Sequence, residues 1–247
     1  MADHRPIKHL LLVLGGLLVL VLAFVGYDRW RHPQLAEALH DADPVIRMDA
    51  VRKAGRTGNE DLLIEALRDD DPDIRYVAAW GLGGERSEKK VRALLELFKD
   101  DQAYVRELAL KKLRYLPAGG RPFLYKGIED ADPRIRAGTA YSLVYLPNRK
   151  FVMGDIPPNP PPRPPDEEKT IAHLMIPLIK DEDLEVRKAT YYCLFTYWLE
   201  PEEAQQVVSA LEEAPRETDK DARDLSERLL RWMKQGKPAR NRDQNEE

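Results

Sequence analysis

The sequence predicts an all-α protein: an α-solenoid, or superhelix, of about five short helix pairs preceded by one transmembrane helix. Three observations predict it: a short signature that recurs along the chain, an apolar stripe that follows each copy at helical spacing, and an apolar run near the N-terminus. A single helix pair cannot bury its own apolar face, so pairs that recur at a near-constant period stack on one another.

The first predicted element is a membrane anchor at residues 10–27, behind a short flank at residues 1–9. Its 18 residues carry no charged side chain, and a helix of that length spans about 27 Å, close to one hydrocarbon core. Tyr27 and Trp30 come at its end, where amphipathic aromatic side chains favour the membrane interface. A cleaved signal peptide and a buried helix are the alternatives, although no small-residue cleavage site follows the run.

Basic residues around this run give little bias in orientation. Arg5 and Lys8 precede it, and Arg29 and Arg31 follow it, so the positive-inside rule is nearly balanced. A short N-terminus before a first apolar helix usually stays in the cytoplasm. We therefore expect a single-pass protein of the cytoplasmic (inner) membrane, with its repeats on the extracytoplasmic side.

A five-residue signature is predicted to start the second helix of each pair. Its fullest form is Asp-Pro-x-Ile-Arg, in which the aspartate suits an N-cap and the proline suits the first helical position. Its arginines are separated by 28, 31, 30 and 51 residues. The third copy has Gln102 in place of aspartate, so Asp100 or Asp101 is expected to cap there. The copies, which form the predicted structural ladder, begin and end at Asp43 and Arg47, Asp71 and Arg75, Gln102 and Arg106, Asp132 and Arg136, and Asp183 and Arg187.

Mainly apolar and small residues occupy positions −1, +3, +4 and +7, counted from each signature arginine. At about 100° per residue they form one stripe on a helix, and a second apolar helix that ends in an acidic turn precedes each signature. These helix pairs predict a repeat array over residues 33–200. The stripe consists of Ile46, Ala50, Val51 and Ala54; Ile74, Ala78, Ala79 and Leu82; Val105, Ala109, Leu110 and Leu113; Ile135, Thr139, Ala140 and Leu143; and Val186, Thr190, Tyr191 and Leu194.

The repeated pattern, a leucine and an acid followed by Asp-Pro-x-Ile/Val-Arg-x-x-Ala, resembles HEAT-like repeats of the short type found in phycobilisome lyases. The resemblance covers residues 34–200 and is more specific for fold than for function. It implies a scaffold, an adaptor or a bilin lyase subunit. It also implies that the repeated aspartates and arginines bond between neighbouring repeats; a row of anion-binding arginines is the alternative.

A proline-rich insertion at residues 148–168 accounts for the longest spacing between signatures. Seven prolines between positions 157 and 165 exclude a helix interior and favour an extended polyproline segment. A long insertion in a compact array is either a tolerated excursion or a functional loop. As a functional loop it would dock on this chain's own groove or present Pro161, Pro162, Arg163, Pro164 and Pro165 to an aromatic-lined partner.

Beyond residue 201 the signature stops. Two helical patterns within residues 201–235 are expected to cap the array, because a terminal repeat needs a polar outer face. Residues 236–247 are polar and have no apolar period, so we expect a disordered tail.

Composition and residue spacing argue against several classes of function. Charged residues make up 33% of the chain and the net charge is −4, so there is no basic excess of the kind that nucleic-acid binding needs. The five histidines and the single cysteine, Cys193, lack metal-ligand spacing. No specific catalytic constellation or phosphate-binding loop is present, and we expect no enzymatic activity, no metal and no cofactor.

Aromatic residues recur at positions +1, +5 and +9 of the predicted second helices, away from the apolar stripe. Exposed aromatic side chains that align form recognition surfaces. The alternative is that they pack under the proline-rich segment or under neighbouring turns. The candidate partner-binding residues of the helices are Tyr76, Trp80, Tyr115, Tyr141, Tyr145 and Tyr192.

The sequence therefore predicts a non-catalytic, membrane-tethered scaffold or adaptor that binds another protein through the concave, aromatic face of its repeats. A bilin-lyase-like or chaperone-like accessory subunit is one alternative. A cell-envelope structural protein that binds glycan through the aromatic row is the other.

Overall fold

A computed structural model of the protein describes residues 34–83, 87–144, 171–197, 199–214 and 216–235. Every regular element within these ranges is helical, which confirms the predicted all-α class there. None of the helices in these ranges is long and apolar enough to cross a membrane. The predicted anchor at residues 10–27, its flank and the tail at residues 236–247 lie outside the described residues.

The helices alternate along the chain as first and second members of pairs. The helical residues 34–38 and 171–175 occupy first-helix positions, and three first helices end in 3₁₀ turns at Leu97–Lys99, Lys126–Glu129 and Ile176–Lys180. The α-helices are α1 (Pro44–Thr57), α2 (Glu60–Ala66), α3 (Pro72–Gly81), α4 (Glu88–Glu96), α5 (Ala103–Arg114), α6 (Arg121–Tyr125), α7 (Pro133–Leu143), α8 (Leu184–Thr196), α9 (Pro201–Glu213) and α10 (Lys220–Lys234).

Contacts divide the chain into two compact units between Gly83 and Gly84, where the sequence predicts one array. In the unit up to Gly83, α1 packs against α2 and α3. In the unit from Gly84 onward, α5, α7, α8 and α10 pack in chain order, each against the next. First helices pack beside them, because α4 contacts α5 and α6, and α9 contacts α10.

Four of the predicted second helices begin at an aspartate that caps the first free backbone N–H groups. Asp43 accepts a hydrogen bond of 2.8 Å from the Val45 N–H, and Asp71, Asp132 and Asp183 make the same contact two residues on. A side-chain cap of this kind contributes about 1 kcal/mol to helix stability.

The start of α5 differs from this pattern. Gln102 occupies the N-cap position of α5 without a capping bond from its side chain. Asp100 instead accepts a hydrogen bond of 2.9 Å from the Gln102 N–H, which is the contact that the turn acids of the other repeats also make. The end of α1 is closed by Gly58 with φ +67°, a left-handed conformation that glycine adopts without steric cost.

The predicted apolar stripe is buried in the second helices except at two positions. The prediction for Ile46 is wrong: its side chain is 42% exposed, because in the described part of the chain no preceding repeat covers the first turn of α1. Its equivalent one repeat later, Ile74, is fully buried. In α5, Leu110 is only half-buried, while Leu108 at position +2 is 4% exposed and joins the core.

The proline-rich insertion leaves the packing of the neighbouring second helices intact. Helix α7 packs directly on α8 although the insertion separates them in the sequence. Residues 145–170 lie outside the described residues, and with them Tyr145 and the predicted docking residues Pro161, Pro162, Arg163, Pro164 and Pro165. The repeat register therefore continues from α7 to α8 as it does between the other repeats of this unit.

The C-terminal helix pair contains a sixth copy of the signature that the sequence pattern does not reveal. Asp219 caps α10 by accepting from the Ala222 N–H at 2.9 Å, and Arg223 follows at the signature position. The copy reads Asp-Lys-Asp-Ala-Arg, without proline and with the small Ala222 at position −1. Its core uses Ala222, Leu225, Leu229 and Met233, which leaves positions +3 and +4 polar, as an end repeat requires.

Candidate functional site

In each of the five predicted copies, the signature arginine clamps the turn that precedes its own helix. Its Nη1 donates to the carbonyl oxygens of the two residues that lie six and five positions before it; for Arg136 these are Asp130 at 2.9 Å and Ala131 at 3.0 Å. The contact satisfies carbonyl groups of the acidic turn that the helices leave free. The same pair of bonds recurs for Arg47, Arg75, Arg106 and Arg187.

Three signature arginines also bind the acidic turn of the next repeat through a two-point ion pair. Arg47 donates from Nε and Nη2 to the carboxylate of Asp69 at 2.8 and 3.0 Å. Arg136 binds Asp181 at 2.9 and 2.8 Å, and Arg187 binds Glu217 at 2.6 and 2.8 Å. Two parallel bonds to a carboxylate are the strongest pairing that a guanidinium makes.

The acids in these ion pairs are not the ones that the sequence suggests. Asp71 and Asp183 cap helices, and the arginine of the preceding repeat binds the acid two residues upstream, Asp69 or Asp181. The reason is geometric: a capping carboxylate points at its own helix, whereas the upstream acid stands at the turn and faces the neighbouring repeat. For these three arginines, carboxylate and carbonyl partners occupy the guanidinium, so they do not form an open anion-binding row.

Glu217 and its partners tie the C-terminal helix pair to α8. The Glu217 carboxylate also accepts a hydrogen bond of 2.8 Å from the Tyr191 hydroxyl, and both residues are buried. Burial and the Glu217 bond raise the pKa of the Tyr191 phenol, which therefore stays a neutral donor. The hydrogen bonds from Arg187 and Tyr191 lower the pKa of Glu217 although burial opposes them.

The lowered pKa values of the inter-repeat acids predict loss of stability in acid. Burial opposes ionisation of Asp69 and Asp181, but the bonds from Arg47 and Arg136 and from backbone N–H groups outweigh it and lower both pKa values. A carboxylate whose pKa is lower in the folded state stabilises the fold fully above its unfolded-state pKa, about 4. This stabilisation is lost as the pH falls through the folded-state pKa. Thermal melts followed by circular dichroism should therefore show a steep decline in Tm below about pH 4. In Glu217→Gln, which lacks one of these carboxylates, Tm should be lower at neutral pH and the decline shallower.

Aromatic side chains of neighbouring second helices meet on the surface of the unit from Gly84 onward. The rings of Tyr141 on α7 and Tyr192 on α8 lie 6.2 Å apart at 39°. Tyr192 is 44% exposed and Tyr141 is half-buried. Burial, and secondarily the charge of Glu185, raise the pKa of Tyr141, so the hydroxyl at this surface is neutral at ordinary pH.

A second aromatic pair extends this surface toward the C-terminus and was not predicted. The rings of Phe195 on α8 and Trp232 on α10 lie 5.4 Å apart at 32°, and the Arg228 guanidinium carbon lies 5.9 Å from the centre of the Phe195 ring. Trp232 and Arg228 are at positions +9 and +5 of the sixth signature, so recognising that copy would have predicted them. Phe195 is at position +8, which lies close to the others on the helix circumference at about 100° per residue. We call Tyr141, Tyr192, Phe195, Arg228, Arg231 and Trp232 the second-helix face.

The remaining predicted aromatics fall into different environments. In the unit up to Gly83, Trp80 is 61% exposed and Tyr76 is half-buried. Arg52 and Arg56 are exposed on α1 at positions +5 and +9. In the unit from Gly84 onward, Tyr115 is half-buried at the end of α5.

The described residues do not assemble a metal site. They contain no group of three or more histidine, cysteine, aspartate or glutamate side chains that could hold a metal ion. Cys193 is fully buried, as expected of a structural thiol. The second-helix face presents aromatic rings and guanidinium groups side by side.

Comparisons with known proteins agree with the helical repeat fold. A family model described as HEAT repeats matches residues 32–114, and no curated protein matches the chain significantly. A solved structure of crescerin, which uses a TOG domain array to regulate microtubules in the primary cilium, is 14% identical with a TM-score of 0.50, over 81% of this chain and 88% of that one.

Two further structures are similar at lower TM-scores. The archaeal HEAT-like repeats protein from Thermococcus onnurineus NA1 is 12% identical with a TM-score of 0.45, over 87% of this chain and 91% of that one. A designed armadillo repeat protein in complex with the peptide (KR)4 is 16% identical with a TM-score of 0.43, over 81% and 98%. At these identities the likeness concerns the fold alone, and it does not distinguish repeats of the phycobilisome-lyase type.

Proposed function

We propose that this chain is a non-catalytic scaffold that binds a partner protein through the second-helix face and is tethered to a membrane by residues 10–27. One observation carries the proposal: aromatic rings of consecutive second helices meet in pairs on the surface, at 6.2 and 5.4 Å. Aromatic and arginine side chains are the residues that dominate the energetics of protein interfaces. Stacked helical repeats present extended surfaces of this kind.

In this proposal the binding region comprises the second helices α7, α8 and α10 of the unit from Gly84 onward. The insertion at residues 148–168 adds a proline-rich segment that reaches the same partner. Deleting residues 154–166 tests the segment by itself. Loss of partner binding in a folded protein supports a role for it, whereas unchanged binding and unchanged folding would remove it from the site.

The tether is supported by the uncharged apolar run at residues 10–27, which is long enough for one hydrocarbon core. Extraction of membranes at alkaline pH tests the tether, because a spanning helix resists extraction and a peripheral protein does not. Protease added to intact spheroplasts tests the side, since repeats outside the cytoplasmic membrane are digested and repeats inside are protected.

Replacing Tyr192 by alanine is expected to weaken partner capture strongly while changing stability little. Tyr192 is 44% exposed and meets Tyr141, so its removal costs folding about 1 kcal/mol or less. An interface anchor of this kind contributes about 2 kcal/mol or more to binding. Capture is measured by a photocrosslinking amino acid at position 141 in membranes, with adducts identified by mass spectrometry.

Phe123→Ala is the matched control, because Phe123 is a half-buried aromatic on the first helix α6, away from the second-helix face. Its replacement should leave the crosslinked adduct unchanged. Equal loss of the adduct in both variants, or none in Tyr192→Ala, would contradict binding through this face. A large fall in Tm of Tyr192→Ala would show instead that Tyr192 belongs to the core.

A further inference from the structure

The C-terminal end of the second-helix face contains an open cavity that combines aromatic rings with cations. Its volume is about 390 Å³, and it is lined by Phe195, Arg228, Arg231, Trp232 and Gln235. Phe195 and Trp232 are half-buried, whereas both arginines are exposed. The cavity therefore combines half-buried aromatic rings with two exposed guanidinium groups.

Neither arginine forms an ion pair with any of the residues that the structure describes. Acids are close in the sequence, because Asp224 and Glu227 stand one helical turn before Arg228 and Arg231, yet neither carboxylate pairs with them. Arg228 instead lies over the Phe195 ring. By contrast Lys234, in the last turn of the same helix, pairs with Glu212 at 2.6 Å.

Within the described part of the chain, the structural contacts of both cations leave them without a carboxylate. The helix dipole favours Arg231 in the last turn of α10. Arg228, nearly two turns from the end of α10, lies against the Phe195 ring. Two like charges three positions apart repel each other slightly. A bound anion would relieve that repulsion and accept from both guanidinium groups.

We propose that this cavity binds an acidic peptide segment of the partner protein, with a carboxylate on Arg228 and Arg231 and an adjacent apolar side chain against Trp232. The proposal rests on the proposed function and names the chemistry of the partner at this end of the face. Guanidinium groups match the geometry of a carboxylate, and the half-buried Trp232 ring offers an apolar surface to an aliphatic or proline side chain. The charge of the cavity selects against basic peptides.

The test measures binding of fluorescent peptides to the full-length chain in non-ionic detergent. The peptides repeat Glu-Leu-Pro, with Gln-Leu-Pro and Lys-Leu-Pro as neutral and basic analogues. We expect the acidic peptide to bind at least about tenfold more tightly than the neutral one, the scale of one charged hydrogen bond. We expect a loss of about tenfold or more in Arg228→Glu with Arg231→Glu. The pair Arg228→Gln with Arg231→Gln, which disturbs the helix end less, should lose nearly as much.

Arg216→Glu with Lys220→Glu is the control, since it changes the charge equally at exposed positions outside this cavity. Equal weakening by the control, or equal binding of single-stranded oligothymidine, would show general attraction of polyanions and overturn the proposal. Tighter peptide binding after removal of residues 236–247 would show that the acidic end of this segment, Asp243, Glu246 and Glu247, occupies the cavity, which would also overturn the proposal. If the acidic peptide fails to bind while the crosslinker at position 141 still captures a partner, the inference about charge fails and the proposed function stands.

Discussion

Replacing Asp181 by alanine is expected to destabilise the helices around it by about 3–5 kcal/mol. The Asp181 and Arg136 side chains are 8% and 11% exposed, so the substitution leaves a nearly buried guanidinium without its carboxylate. It also removes the acceptor of the Asp183 N–H, which Asp181 binds at 2.9 Å. An uncompensated buried charge costs more than the intact pair contributes.

Hydrogen exchange of the α7 and α8 amides measures the loss of stability around Asp181. A local measurement is needed because a chain of two units need not unfold in one step. Glu182→Ala is the matched control: the neighbouring side chain is exposed, and its loss should change stability by about 0.5 kcal/mol or less. Arg136→Met combined with Asp181→Leu should restore much of the stability, because replacing both charges by apolar side chains leaves nothing unpaired. If Asp181→Ala behaves like Glu182→Ala, the ion pair does not hold these repeats together.

Replacing Gly138 by alanine is expected to destabilise the protein by about 1–3 kcal/mol, although alanine is the better helix former by about 1 kcal/mol. Gly138 is buried within α7, and a Cβ there would overlap the Phe98 ring, lying 2.6 Å from Cδ1 and closer to Cγ and Cδ2. Phe98 is itself 6% exposed, so its ring has little room to move. Overpacking therefore outweighs the gain in helix propensity.

Gly55→Ala is the matched control with the opposite expected sign. Gly55 is also a helical glycine, but a Cβ there would lie 3.6 Å from the Gly81 Cα, an ordinary contact, so stability should rise by up to about 1 kcal/mol. Adding Phe98→Leu to Gly138→Ala should cost less than the sum of the two changes, because the smaller side chain makes room. Thermal melts of these variants measure the signs, and a stabilising Gly138→Ala would contradict the close approach of α7 to Phe98.

The starts of α1, α3 and α7 were predictable because their causes are local. An aspartate caps the backbone two residues away, and a proline fits the next position, so Asp43, Asp71 and Asp132 are recognisable without knowledge of the fold. The burial of Ile74 or Ile135 also follows from helical periodicity. The exposure of Ile46 does not follow from periodicity, because a preceding repeat must cover this position and the helix itself cannot.

The inter-repeat ion pairs and the full extent of the face required the tertiary structure. The sequence contains acids both at the cap and two residues before it, and only packing shows that Asp69 and Asp181 face the preceding arginine. The sixth signature escaped detection because Lys220 replaces proline and the end repeat has polar stripe positions, and Trp232 and Arg228 went unrecognised with it.

By itself, the sequence determined that this chain folds into helix pairs, where the second helices of the five predicted signatures begin and which of their faces are apolar, since capping and periodicity act within a few residues. Only the tertiary structure decided which acid each arginine binds, that α7 packs on α8 despite the insertion, and that Phe195 and Trp232 meet beside two arginines. These contacts join residues that are distant in sequence, because each depends on how one helix packs on the next.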